Sequence, residues 1–114
     1  MATSNQIGER RHQRYSFDVP ISIVRPSGLP IPAIGTEISR GGMSAICPEE
    51  LRIGEELNLI VPLREAGQVR LQALVRDKND LRYGFEFVGI DDAHRRHVEN
   101  ACRFLSVYSS GYGY

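Results

Sequence analysis

The chain has 114 residues, enough for one domain with one hydrophobic core, and its 25% charged and 41% apolar residues exclude a disordered chain. Fourteen basic residues balance fourteen acidic ones, so no overall positive field holds a long nucleic acid, and anion recognition has to be local. No apolar run approaches the roughly 20 residues of a membrane span, and Met1 to Gly8 lacks the basic start and apolar centre of a signal peptide, so a cytoplasmic location without membrane insertion is expected.

Residues 1–8 read as a flexible arm, 9–105 as a folded domain and 106–114 as a flexible tail, its three tyrosines standing outside any apolar period. Arg10, Arg11 and Arg14 then place three guanidinium groups within five residues. The planar fork of arginine grips phosphate or a guanine edge bidentately. The competing reading is a solvated cluster pairing loosely with Glu9 and Asp18, each exposed pair contributing about 0–1 kcal/mol.

Val19, Ile21 and Ile23 alternate as in a strand, and Pro26, Gly28, Pro30 and Pro32 punctuate the loop that follows. A second strand, from about Ala33 to Ile38, runs into Glu37-Ile38-Ser39-Arg40-Gly41-Gly42. This cluster combines a carboxylate that accepts from a base edge, a hydroxyl that donates, and glycines that let backbone N–H groups approach a ligand. By itself it is equally a plain β-turn or bulge with glycines at positive φ.

Further strands are expected at Met43 to Cys47, at Glu56 to Pro62, and at Val69, Leu71, Ala73 and Val75 in strict alternation after a Glu65-Ala66-Gly67 turn. A last strand carries Tyr83, Phe85 and Phe87 after a Lys78-Asn79-Asp80 turn, with Gly84 marking a bulge, a close backbone approach or plain strand tolerance. After Gly89 the period changes. Asp91 or Asp92 is a good N-cap, and Val98, Ala101, Cys102 and Leu105 recur at helical spacing. Cys47 and Cys102 sit in apolar stretches, which favours buried reduced thiols over a disulfide.

No active site is expected. His94, His97 and Cys102 lack a fourth ligand at a recognised zinc spacing, Ser39 has no histidine placed to activate it, and no paired carboxylates suggest acid and base work. A solvated, arginine-flanked helix face accounts for the histidines. RNA binding is disfavoured by the zero net charge and by aromatics that look core-facing.

Taken together, Arg10 and Arg14 at RxxxR spacing before the first strand, the ExSxxG cluster after the second and the strand Arg82-Tyr83-Gly84-Phe85-Glu86-Phe87 resemble the PilZ domain family over roughly Glu9 to Leu105. The resemblance implies an all-β fold, a six-stranded antiparallel barrel with one C-terminal α-helix. It further implies a bacterial receptor without catalysis or cofactor that binds cyclic di-GMP and couples it to a protein effector, in motility or biofilm control. Carried over by position, Arg10, Arg14, Glu37, Ser39 and Gly42 are the expected ligand-binding residues, with Arg11 and Arg40 beside the motifs as secondary contacts or as solvated charges. The family has aspartate or asparagine where this chain has Glu37. Glutamate keeps the carboxylate that accepts from guanine N1–H and N2, displaced by about 1.5 Å, so an aspartate at 37 is expected to bind at least as well. The alternative is a degenerate domain of the same family acting as a nucleotide-independent protein-interaction module.

Overall fold

The computed structural model describes residues 12–106. Arg10, Arg11, the proposed arm and all but the first residue of the proposed tail lie outside them. Six strands, β1 (Tyr15–Val24), β2 (Ile31–Ile38), β3 (Gly42–Ile46), β4 (Glu56–Leu63), β5 (Gly67–Asn79) and β6 (Arg82–Phe87), precede one helix, α1 (Asp92–Arg103). All neighbours are antiparallel, and the order β1-β2-β3-β6-β5-β4 closes into a barrel through Ser22, Ile23 and Val24 of β1 against Ile60, Leu59 and Asn58 of β4. Closure leaves no long unpaired edge, which is how an isolated sheet of this size avoids association.

The two-residue period decides what fills the barrel. Ile21, Ile23, Leu57, Leu59, Val61, Leu71, Ala73, Val75, Tyr83 and Phe85 alternate with outward residues and are buried. Each fully buried leucine, such as Leu59 at 0% exposure, is worth about 1.5–3 kcal/mol. Tyr83 is buried as well, and its hydroxyl accepts the Leu51 amide at 3.0 Å, so its polar tip is satisfied where its ring is desolvated. The aromatics of β6 thus face the core, as their spacing implies.

Three boundaries differ most from the sequence reading. β2 begins at Ile31, so Pro32, read as loop, pairs with Ser22 inside the ladder. β1 begins at Tyr15, ahead of the apolar alternation, because Tyr15 and Ser16 pair with Ile38 and Glu37 before a bulge restores the period at Val19. β5 runs on to Asn79, because Lys78 and Asn79 still pair with Tyr83 and Arg82, and the turn contracts to Asp80 and Leu81 with Asp80 at φ 57°. The bulge near Gly84 lies in the facing strand, between Val75 and Asp77, and a Cβ at Gly84 would stand 3.1 Å from Asp77 Cβ. Of the three readings of Gly84, the structure favours close approach.

α1 covers the end of the barrel where β1 begins and where the β2–β3 and β4–β5 turns lie. Asp91 is its N-cap, accepting the His94 amide at 2.8 Å, and Val98, Ala101 and Cys102 are its buried stripe. It touches both turns. Arg40 bonds Glu99 at 2.7 Å on one side, while on the other Asn100 donates to Glu65 at 3.4 Å and the Arg64 guanidinium lies 4.1 Å from the centre of the Phe104 ring. The chain then returns to β1, the Ser106 carbonyl accepting the Ser16 amide at 2.9 Å. No helix among the described residues is long and apolar enough to cross a membrane.

Candidate functional site

The ExSxxG cluster forms the end of β2 and the tight turn into β3. The Ser39 amide donates to the Gly42 carbonyl at 2.8 Å, and Ser39 Oγ accepts the Gly41 amide at 3.2 Å, so the serine folds its own turn. Neither Gly41 nor Gly42 has positive φ. Glycine is required here for space. A Cβ on Gly42 would lie 2.1 Å from the Phe85 carbonyl oxygen of β6, and one on Gly41 would lie 2.7 Å from the His12 ring. His12, two residues before Arg14, thus rests on the turn.

The carboxylate at 37 belongs to the same surface. Thr36 is the extra residue of a bulge between Gly35 and Glu37, after which Ile38 faces inward opposite Met43 and Glu37 faces outward opposite Ser44. Outward residues are normally wet, yet Glu37 is 1% exposed, and it is the only buried charged residue among the described residues. Two guanidinium groups cover it. Arg14 Nη1 donates to its Oε1 at 3.0 Å, and Arg82 Nη2, from β6, donates to its Oε2. Arg14 therefore pairs with Glu37 and not with Asp18, as the solvated-cluster reading would have it. Both arginine side chains stay about 40% exposed.

The structure thus brings Arg14, Glu37, Ser39 and Gly42 together on one outer face, with Arg40 at its rim. Arg82 was not singled out from the sequence. Its signal was the alternation of β6, which puts Arg82, Gly84 and Glu86 outward, but only the pairing of β3 with both β2 and β6 shows that this is also the face of Glu37.

Beside this face lies a cleft of about 210 Å³ lined by Gln13, Tyr15, Arg40, Glu99, Cys102 and Arg103. Its thiol is held in the protonated form. Burial pushes Cys102 up to about 11, with nearby Glu99 adding to the shift, and Cys47 is raised for the same first reason, so both stay protonated at neutral pH. Both cysteines are free and buried. On α1, His94 Nδ1 lies 2.8 Å from Asp91 Oδ1, and the bonds that Asp91 accepts from the His94 amide and ring hold its carboxyl below the usual range. Among the described residues, no three His, Cys, Asp or Glu side chains stand where they would hold a metal ion.

A model of the PilZ domain matches residues 9–104 of this chain. The chain belongs to the PilZ family. Among solved structures, this PilZ domain is similar to that of YcgR from Escherichia coli, described with c-di-GMP, at 19% identity and a TM-score of 0.68, over 84% of this chain and 90% of that one. It is likewise similar to the inhibitor of motility MotI/DgrA of Bacillus subtilis, at 23% identity and a TM-score of 0.67, covering 82% of this chain and 49% of that one, about half its length. The PilZ domain of CeSA from a cellulose-synthesizing bacterium follows at 15% identity and a TM-score of 0.65, over 79% and 94% of the two chains. At these identities the likeness speaks for the barrel and its C-terminal helix. No curated protein matches the chain.

Proposed function

We propose that this PilZ domain is a receptor for cyclic di-GMP, without catalysis, that couples the ligand to a partner protein in the cytoplasm, in control of motility or biofilm formation. One observation supports the reading: His12 lies against Gly41 and Arg14 bonds Glu37, so the last residue of the RxxxR spacing stands beside the Ser39 to Gly42 turn. Phosphodiester oxygens take charge-assisted donors from Arg10, Arg14 and the rim residue Arg40, with Arg11 adjacent, and guanine offers O6 and N7 to a guanidinium fork. The Ser39 to Gly42 turn lets the ligand approach the backbone. The domain is read as residues 9–105, with 1–8 and 106–114 as its flanks.

Coupling to a partner has a physical route. Arg40 is held only by an exposed pair with Glu99, worth about 0–1 kcal/mol, so a phosphate can recruit it at little cost and release that side of α1.

Isothermal titration calorimetry of the full chain with cyclic di-GMP is expected to show saturable binding near micromolar, about 8 kcal/mol. Arg14→Ala should weaken it by about tenfold or more. No saturation up to about 100 μM would sink the receptor reading. It would favour the nucleotide-independent interaction module, which has its own support in exposed Ile34 and Ile46, register partners on the outer face.

A further inference from the structure

We propose that the cleft between the arginine segment and α1 takes a phosphodiester of cyclic di-GMP, and that Arg103 is the helix's contact to it. This rests on the cyclic di-GMP reading of the neighbouring face. The cleft, about 210 Å³, is lined from three parts of the fold. Gln13 stands in sequence between Arg10 and Arg14 and Tyr15 opens β1, Arg40 belongs to the β2–β3 turn, and Glu99, Cys102 and Arg103 come from α1. Both sequence clusters therefore border it. So does the helix, to which neither motif assigns a ligand contact.

The lining has the chemistry of an anion site. Glu99, Cys102 and Arg103 recur at i, i+3 and i+4, so one stripe of α1 turns them to the cleft together. Arg103 is exposed, and among the described residues its guanidinium makes no hydrogen bond or ion pair. The hydroxyl of half-buried Tyr15 makes none there either. Glu99 is the one carboxylate of the lining, it is already bonded by Arg40 at 2.7 Å, and the Cys102 thiol is neutral. Arg40 and Arg103 against Glu99 leave the cleft with a net positive charge, which suits the single negative charge of a phosphodiester. Tyr15 and the Gln13 amide, of which one N–H bonds the Arg14 carbonyl at 3.4 Å, add neutral donors.

Two further points fit. The C-terminal end of a helix repels an anion, and Arg103, the basic residue of the last turn of α1, offsets that repulsion on this wall. The cleft is also smaller than the roughly 300–1,000 Å³ of a pocket that encloses a small molecule, so it holds a part of the ligand while the rest lies over the Ser39 to Gly42 turn. A phosphate seated there exchanges the Arg40–Glu99 pair for contacts to Arg40 and Arg103. The direct tie between the turn and α1 is replaced by one through the ligand, and the last turn of the helix registers occupancy.

The test is calorimetric titration of cyclic di-GMP into the full chain and its variants, each first checked for an unchanged fold by circular dichroism and thermal melting. Arg103→Ala is expected to bind about tenfold more weakly, Arg103→Lys to recover part of the loss because an ammonium keeps the charge without the fork, and Arg103→Glu to bind more weakly than either. The losses should shrink as salt is raised. Arg96→Ala, at an exposed arginine of α1 outside the cleft lining, should stay within about twofold of wild type. Hydrogen exchange gives a second readout: saturating ligand should slow the amides of the last turn of α1 in the wild type and do so less in Arg103→Ala. Arg103→Ala binding within about twofold of wild type, or an equal loss in Arg96→Ala, overturns the inference while leaving the receptor reading intact. Absence of saturable binding by the wild type up to about 100 μM overturns the receptor reading and this inference with it.

Discussion

The β2–β3 and β4–β5 turns lie at the same end of the barrel, both touch α1 and both end in glycine, yet they need glycine for opposite reasons. Gly67, closing the second turn, has φ +74° and nothing within 4 Å of where a Cβ would stand. The constraint is conformational, shared with Glu65 at φ 67°, and any residue that tolerates the left-handed region meets it. Gly42, closing the first turn, has ordinary φ and no space, because β6 passes within 2.1 Å of its missing side chain. A hairpin that only reverses the chain makes a local demand. The hairpin of the proposed ligand face also packs on a neighbouring strand, and here that strand brings Arg82 to Glu37.

The largest expected effect separates the two turns at once. Gly42→Ala must push the Phe85 carbonyl and the β3–β6 ladder apart, costing about 3 kcal/mol or more and lowering Tm by well over about 10 °C in a thermal melt. Gly67→Ala should cost only about 1 kcal/mol, a Tm loss near 5 °C, and Gly67→Asn should recover part of it, since asparagine visits the left-handed region. Equal losses at the two positions would break the distinction. Gly41→Ala lies between them in kind. Its Cβ meets the end of the His12 side chain and no backbone, so stability should change by less than for Gly42→Ala while calorimetry shows weaker cyclic di-GMP binding as His12 and Arg14 shift from the turn.

The smallest effect concerns how each turn is tied to α1. Glu99→Gln releases Arg40 from an exposed pair and should tighten cyclic di-GMP binding, by no more than about fivefold, with little change in Tm. Weaker binding would mean that Arg40 must be held by the helix to act. Glu65→Gln, on the other turn, touches only the Asn100 contact at 3.4 Å and should leave affinity unchanged.

Much of this was legible in the chain. The period of Ile21 and Ile23, of Leu71, Ala73 and Val75, and of Tyr83, Phe85 and Phe87 specifies strands with one face in a core, and the turn residues between them set antiparallel neighbours. Asp91 announces α1 by the chemistry of a cap. Less legible was everything set by register. The three bulges in β1, β2 and β5 shift which residues face outward, and no local pattern marks the extra residue. The boundary of β5 was misplaced for that reason, since the pairing of Asn79 with Arg82 is a property of two strands together.

For the proposed site, the residue types by themselves suggested the chemistry: arginines suited to phosphate and guanine, a carboxylate, a serine and two glycines at a turn. Hydrogen-bonding inventory and backbone permissiveness are local properties, readable wherever a residue stands. What only the tertiary structure decided was where that chemistry points. Glu37 reads from sequence as an exposed acceptor, and folding buries it beneath Arg14 and Arg82, residues 23 and 45 positions away. Burial and partnership depend on strands brought together across the barrel, and a charge becomes a strut only when closure sets two guanidinium groups over it.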